Sequence, residues 1–267
     1  MFIFGIGGGS DYYSSQLVKH IMKPLSSTIF TSLAAMYVDG VLNLDLTIEK
    51  YKSRSEFRIS EIFNGWPLFI DCRAENAYGI VVPHRDDVES FNMLTTSFVQ
   101  FFLPNGECPP CLAVDTGGDS LRGLVPGMGG HDIGHLFSNH VDDRDTVSLL
   151  LISVISQAPV CLYVLGPGSD GETRDNDLTN ALISLYANAC PRVCLVKEGR
   201  MDEFYEVIPQ VTGWDEPTVG STIWNIRNAT GGPSGQSMIT RRGVEIFHVS
   251  NAHLKSYWNV LVYPSYN

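Results

Sequence analysis

Short apolar runs alternate with amphipathic segments along most of the 267-residue chain. The first run covers residues 2–6, and the segment after it, DYYSSQLVKHIM, has apolar residues at helical spacing. The alternation returns with the run CLAVDT, the segment DRDTVSLLLISVIS and the run PVCLYVLG. Strands that alternate with helices are typical of parallel sheets with crossover helices. The sequence therefore predicts a single α/β domain over residues 1–267, with a mostly parallel sheet flanked by helices in a Rossmann-like three-layer sandwich.

Further segments fit the same pattern. STIFTSLA, PLFIDCR and YGIVVP are predicted strands, and DDVESFNMLTTSFVQFFL is a predicted helix that ends before Pro104 and Gly106. DLTNALISLYANA is another predicted helix. The last third is less regular, and RVCLVKE, TIWNIRNA, VEIFHVS and NVLVYPS are predicted to form strands or short helices.

The charge of the chain restricts its partners. With 18 basic and 29 acidic side chains the formal net charge is −11, which argues against nucleic acid and anionic membranes, because phosphate surfaces require a basic footprint. The longest apolar stretch is interrupted by serines, Gln157 and Pro159, so we do not expect it to span a membrane. The first apolar run is not preceded by the basic segment of a secretory signal, so we do not expect it to be one. We expect a cytoplasmic protein with a small-molecule ligand; the sequence leaves homo-oligomerisation open.

Glycines and acidic residues follow three of the predicted strands. The loops are GIGGGSD at residues 5–11, VDTGGDS at residues 114–120 and GPGSDGE at residues 166–172. In an open parallel sheet, ligands bind beyond the carboxyl ends of the strands. We therefore expect the three loops to meet at one edge of the sheet and to form one site.

The first loop allows three interpretations. Backbone N–H groups of Gly7, Gly8 and Gly9 at a helix N-terminus would hold an anion. The loop would otherwise be a tight turn between strand and helix, or a dinucleotide site, although Ser10 stands where that fingerprint requires a third glycine. The predicted ligand-binding residues are Gly7, Gly8, Gly9, Ser10 and Asp11.

The second and third loops present carboxylates beside glycines. Aspartates in such turns often cap the turn itself, but carboxylates at a strand end also bind magnesium or transfer protons. We predict catalytic roles for Asp115, Asp119, Asp170 and Glu172, and we predict Asp119 and Asp170 as ligands of Mg²⁺. The predicted ligand-binding residues of these loops are Gly117, Gly118, Ser120, Gly168, Ser169 and Gly171.

Other polar residues are candidates for the same site. Arg144 and Asp145 begin the helix after the second loop; Arg144 is predicted to stabilise developing negative charge, and Asp145 to bind ligand. The glycine-rich segment GGHDIGH, within a long region from Gly117 to Asp142, is interpreted as a lid whose His131 contacts substrate, as a metal site, or as a surface loop.

The motif CPPC at residues 108–111 is interpreted first as two reduced thiols beside a turn. A zinc site completed by His131 and His135, or redox exchange, remains the alternative.

GIGGGSD, VDTGGDSL followed by DRD, and GPGSDGE, in this order, resemble the signature of a family known as the domain of unknown function 1152. The resemblance covers about thirty residues in the first two thirds of the chain. It implies a Rossmann-like α/β fold but no particular activity, and the VPGMGGHDIGHLFSNHV segment departs from the family pattern. The resemblance marks as recurrent positions Gly7, Gly8, Gly9, Asp11, Asp115, Gly117, Gly118, Asp119, Arg144, Asp145, Asp170, Gly171 and Glu172.

Taken together, these loops favour an enzyme that binds a small phosphorylated or nucleotide-like metabolite and performs Mg²⁺-assisted hydrolysis or group transfer. Neither a G-x-S-x-G motif nor a Walker lysine is present in the sequence, which argues against serine hydrolases and P-loop enzymes. Two alternatives remain open. The protein would be a non-catalytic small-molecule sensor, or it would act without metal on an amino acid or sugar.

Overall fold

The structure is a computed structural model, and it describes residues 1–7, 9–22, 24–118, 120, 144–157, 160–165 and 244–249. Strands and helices are numbered in chain order over these residues. They are β1 Phe2–Gly5, α1 Gly9–Met22, β2 Thr28–Ala34, β3 Tyr37–Val38, β4 Val41–Leu42, α2 Leu44–Lys52, β5 Phe57–Phe63, β6 Trp66–Asp71, β7 Ala77–Val82, α3 Val88–Phe102, β8 Cys111–Thr116, α4 Arg144–Ser156, β9 Val160–Leu165 and β10 Val244–Val249.

Eight of the strands form one sheet in the order β10-β9-β8-β1-β2-β7-β6-β5. The five central strands, from β9 to β7, run parallel to one another. β10 pairs antiparallel with β9 at one end, and β6 and β5 continue the sheet antiparallel at the other. The predicted α/β fold with a mostly parallel sheet and flanking helices is therefore confirmed.

Successive residues of β1 face opposite sides of the sheet, as the period of a strand requires. Ile3 packs in a cluster with Tyr12 and Leu17 of α1. Phe4 points to the other side, where its ring stacks on Phe30 of β2 at a centroid distance of 4.6 Å. The buried apolar residues of α3 and α4 belong to this second cluster. Helices thus cover the sheet on both sides, and both ends of β1 are buried.

Beyond β7, the strands of the sheet do not alternate with helices as the sequence predicts. PLFIDCR and YGIVVP overlap β6 and β7, each of which begins one residue earlier than predicted, and a short turn joins these strands so that they run antiparallel. The β3–β4 hairpin, α2 and β5 were not predicted. β5 is an edge strand whose residues are mostly exposed or half-buried, so its sequence lacks the continuous apolar run of the central strands.

One of the segments predicted in the last third is described. VEIFHVS contains β10, an edge strand of the sheet. The predicted helix DLTNALISLYANA and the segments RVCLVKE, TIWNIRNA and NVLVYPS lie outside the described residues. Over the residues that are described, none of the helices is both long and apolar enough to cross a membrane.

Candidate functional site

The first two glycine loops leave the sheet side by side. Gly5 at the end of β1 pairs with Val114 of β8, and Thr116 at the end of β8 pairs with Leu165, the last residue of β9. These parallel strands therefore end at the same edge of the sheet. The third predicted loop begins directly after Leu165, but residues 166–172 lie outside the described part of the chain.

Asp11 in the first turn of α1 connects the two loops. The residue is 3% exposed; one oxygen of its carboxylate accepts the backbone N–H of Gly7, and the other accepts that of Thr116 at 2.7 Å. Ser14, one turn further along α1, shares a hydrogen bond of 2.5 Å with the hydroxyl of Thr116. The N–H of Gly7, predicted to face a ligand anion, is thus used within the chain.

Gly7 also lies against two carboxylates. A Cβ atom on Gly7 would lie 2.6 Å from Oδ2 of Asp11 and still closer to Oδ1 of Asp145, so only glycine fits without a shift of these side chains. Asp145, in the first turn of α4, is 3% exposed. The predicted ligand-binding residues Asp11 and Asp145 are therefore neighbours and flank the first loop.

Asp115 stabilises its own turn. Its side chain is 0% exposed; one carboxylate oxygen accepts the N–H of Gly118 at 3.3 Å, and the other accepts the hydroxyl of Ser120. Gly117 and Gly118 have φ angles of 107° and 88°, a region that favours glycine. These contacts fit the interpretation in which the aspartate caps the turn, and they account for both glycines by backbone conformation.

Ser148 attaches the start of α4 to β2 and to the residue that follows β1. The hydroxyl of Ser148 lies 2.7 Å from that of Ser32 on β2 and donates to the carbonyl oxygen of Ile6 at 3.4 Å. One turn earlier, the half-buried Arg144 begins the helix. The structure thus brings Arg144 and Asp145 to the same edge of the sheet as the two glycine loops.

Two further cations at this edge were missed in the sequence. Partial burial, together with the positive charges of Arg144 and Arg54, lowers the pKa of Lys50 on α2. Arg144 and Arg54 also act on Tyr51, whose pKa is raised because its burial outweighs their effect. No motif marks Lys50 or Arg54 in the sequence, since α2 itself was not predicted.

A further group of polar residues follows the end of β7, in the PHRDD segment at residues 83–87. Asp87 caps α3 and accepts hydrogen bonds from Ser90 Oγ at 2.6 Å and from the hydroxyl of Tyr37 at 2.8 Å. Although partial burial opposes it, these hydrogen bonds lower the pKa of Asp87. The ring of His84 stacks on Tyr37 at a centroid distance of 4.1 Å. The hydrogen bonds fix the position of Tyr37, and the exposed His84 stacks on its ring.

An ion pair between the half-buried Arg73 and the buried Asp71 supports the first turn of α1 from the side of β6. Arg73 makes two hydrogen bonds to Asp71, at 2.9 and 2.7 Å, and its guanidinium lies 3.6 Å from the ring centroid of Tyr12. Burial and the nearby Asp71 raise the pKa of Tyr12, so its phenol stays neutral at physiological pH. The ion pair holds Tyr12, the residue that follows Asp11, against the sheet.

The described residues offer little to a metal ion. Among them, no group of three or more His, Cys, Asp or Glu side chains is placed to hold one. Cys108 and Cys111 are free thiols with their sulfurs 3.5 Å apart. Burial raises the pKa of both thiols, which disfavours the thiolate that metal binding and redox exchange require.

Several predicted site residues are not described, so their positions stay predictions. The residues concerned are Gly8, Asp119, His131, Gly168, Ser169, Asp170, Gly171 and Glu172. Gly9 and Ser10 lie in the first turn of α1 and are half-buried, next to Asp11.

Comparison of the chain with models of protein families, with curated proteins and with solved structures gives no match in any of the three. The resemblance to the domain of unknown function 1152 therefore stays a prediction from the loop motifs. Any function assigned to the chain rests on the geometry of its loops and helix ends.

Proposed function

We propose that the protein is an enzyme that binds a small phosphorylated or nucleotide-like metabolite beyond the carboxyl ends of β1, β2, β8 and β9. The observation that carries this proposal is the junction of the first two loops through Asp11, with Arg144 brought to the same edge by α4. A Rossmann-like three-layer sandwich, the finer form of the fold, belongs to the same proposal, because such sheets bind ligands at this edge.

The proposed reaction is hydrolysis or group transfer. Arg144 would stabilise negative charge that develops on the transferred group, since a positioned guanidinium is a common source of such stabilisation. Magnesium would be held by Asp119 and Asp170, with Glu172 as a further acid or base. Asp11 and Asp115 are not proposed as metal ligands, because both are buried and their hydrogen bonds to backbone and side-chain groups of the first two loops give them a structural role.

A non-catalytic binding protein is the second candidate. Asp115, a predicted catalytic residue, lies within β8, and its hydrogen bonds to Gly118 and Ser120 favour a structural role in the turn. Without a poised carboxylate, the same edge would bind a ligand but would not convert it.

A ligand screen followed by a turnover assay tests the proposal. The full chain is screened by thermal shift against phosphorylated metabolites with and without Mg²⁺, and each compound that binds is incubated to detect products. We expect Arg144→Gln, Asp119→Asn and Asp170→Asn to reduce turnover, and Asp45→Asn, an exposed residue of α2, to leave it unchanged. Binding without turnover would favour the non-catalytic protein, and binding and turnover that none of the three substitutions changes would contradict the proposed site.

A further inference from the structure

Two cysteines lie together at the turn between α3 and β8. Cys108 follows the exposed residues 104–107, and Cys111 is the first residue of β8. Both are half-buried free thiols, and their sulfurs lie 3.5 Å apart. From Cys111 to Thr116 the strand rises about 16 Å, at ~3.3 Å per residue. The pair is therefore at the amino end of β8 and does not belong to the candidate site at the carboxyl ends of the strands.

The chain holds the two sulfurs on one side of the turn. Sγ of Cys108 lies 3.4 Å from the carbonyl oxygen of Pro109, and Sγ of Cys111 lies 3.2 Å from the same oxygen. Pro109 and Pro110 have a fixed φ, which leaves the segment between the cysteines few conformations. Cys111 is also held by β1, because Phe2 pairs with it and donates its N–H to the carbonyl oxygen of Pro110 at 2.9 Å.

The separation of the sulfurs suits a disulfide bond. Bonded sulfurs lie about 2.05 Å apart, so the two sulfurs must approach each other by about 1.5 Å. Rotation about the Cα–Cβ bonds moves the sulfurs without moving the backbone. The strand pairing of β8 with β1 can therefore stay in place when the bond forms.

The surroundings of the two thiols decide which of them reacts first. Burial raises the pKa of both thiols; the hydrogen bond between the sulfurs opposes that rise for Cys108 and adds to it for Cys111. Cys108 is therefore the thiol that ionises more readily, and the thiolate is the nucleophile in thiol–disulfide exchange. Since the pKa of each thiol is raised, we expect slow oxidation of the pair and not the rapid exchange of a redox catalyst.

We propose that Cys108 and Cys111 form an oxidation site, which a small disulfide such as oxidised glutathione converts to an intramolecular disulfide. The thiolate of Cys108 attacks one sulfur of oxidised glutathione, whose S–S bond breaks, and the first glutathione leaves. Cys111 then attacks the sulfur of Cys108 as a thiolate and displaces the second glutathione. The two cysteines lose two electrons and two protons, which convert the oxidised glutathione to two thiols. This inference is independent of the proposed function.

Peptide mass spectrometry after exposure to oxidised glutathione tests the inference. The reduced full chain is incubated with oxidised glutathione at pH 8, and the remaining thiols are alkylated with iodoacetamide. Trypsin then releases both cysteines of the pair on one peptide, residues 86–122. We expect this peptide to lose the mass of two hydrogen atoms and to carry neither glutathione nor the alkylating group.

Single substitutions separate the roles of the two thiols. Cys111→Ser should retain glutathione on Cys108, because no second thiol displaces it. Cys108→Ser should lose the disulfide and take up little glutathione. Cys72→Ser is the matched control and should form the disulfide as the parent chain does, since Cys72 is an exposed thiol that follows β6, and three strands separate β6 from β8. Circular dichroism melting confirms that each variant is folded.

Either of two results would overturn the inference. The first is a peptide 86–122 that stays fully alkylated under conditions in which Cys72 takes up glutathione. The second is a parent chain that retains as much glutathione on Cys108 as Cys111→Ser does, because Cys111 would then not reach the sulfur of Cys108. Neither result depends on ligand binding or turnover, so failure of this inference and failure of the proposed function are distinguishable.

Discussion

Replacement of Asp11 by asparagine tests how the two glycine loops are held together. The carboxylate accepts two backbone N–H groups, from Gly7 and Thr116, and the residue is 3% exposed. Asparagine has the same shape but only one acceptor oxygen, so its NH₂ group would face one of the two N–H donors. The change removes one hydrogen bond to a charged group, worth about 1.5–3 kcal/mol, and leaves a buried N–H without an acceptor, which costs about 1–3 kcal/mol.

These two costs are partly offset, because a neutral amide is easier to bury than a carboxylate. We therefore expect Asp11→Asn to lower the free energy of unfolding by about 2–4 kcal/mol. For a chain of this length, Tm falls by about 2–4 °C for each kcal/mol of stability lost, so we expect a fall of roughly 4–16 °C.

Urea unfolding and thermal melting followed by circular dichroism measure both quantities. Asp45→Asn, at an exposed position in the first turn of α2, is the matched control and should change stability by about 0.5 kcal/mol or less. A Tm of Asp11→Asn equal to that of this control would refute the reasoning, because it would mean that the carboxylate does not join the loops in solution.

Three further predictions concern single side chains. Gly7→Ala places a Cβ against two buried carboxylates and should lower the free energy of unfolding in urea by about 1–3 kcal/mol; an unchanged urea midpoint would contradict the close approach. Burial raises the pKa of Cys111 above its ordinary value of 9.0. The stability that its neutral thiol contributes is therefore complete below pH 9.0 and declines as the pH rises further. At pH 8, iodoacetamide should modify the exposed Cys72 before Cys111, which peptide mass spectrometry would show. Lys50, whose pKa is lowered by partial burial and by the positive charges of Arg144 and Arg54, should titrate below 10.5 in NMR of the methylated lysines, and a midpoint at or above 10.5 would contradict this prediction.

The central elements of the sheet could be predicted because they are local features of the sequence. β1, β2, β8 and β9 each match a short apolar run, and α1, α3 and α4 match segments with helical spacing. Edge elements such as β5 and the β3–β4 hairpin carry no such signal, because an edge strand exposes much of its surface and its sequence is correspondingly mixed.

The meeting of the loops could be predicted in outline but not in detail. Parallel strands end at one edge, so loops after β1 and β8 had to be neighbours once the order of the strands was given. The sequence could not tell that Asp11 would accept the N–H of a residue 105 positions away. For that reason Gly7 was expected to bind an anion, whereas in the structure its N–H donates to a carboxylate of its own chain.

The sequence by itself determined the alternation of strands and helices, and it determined that glycines and carboxylates would follow the strands, since both depend on residues close together in the chain. Only the tertiary structure decided which carboxylate binds which backbone group, and which residues of α2 and α4 bind β2. Tyr51 donates to Ala34, and Ser148 shares a hydrogen bond with Ser32, a residue 116 positions away. Such pairings depend on how α2 and α4 pack against the sheet, and no local pattern of residues encodes that packing.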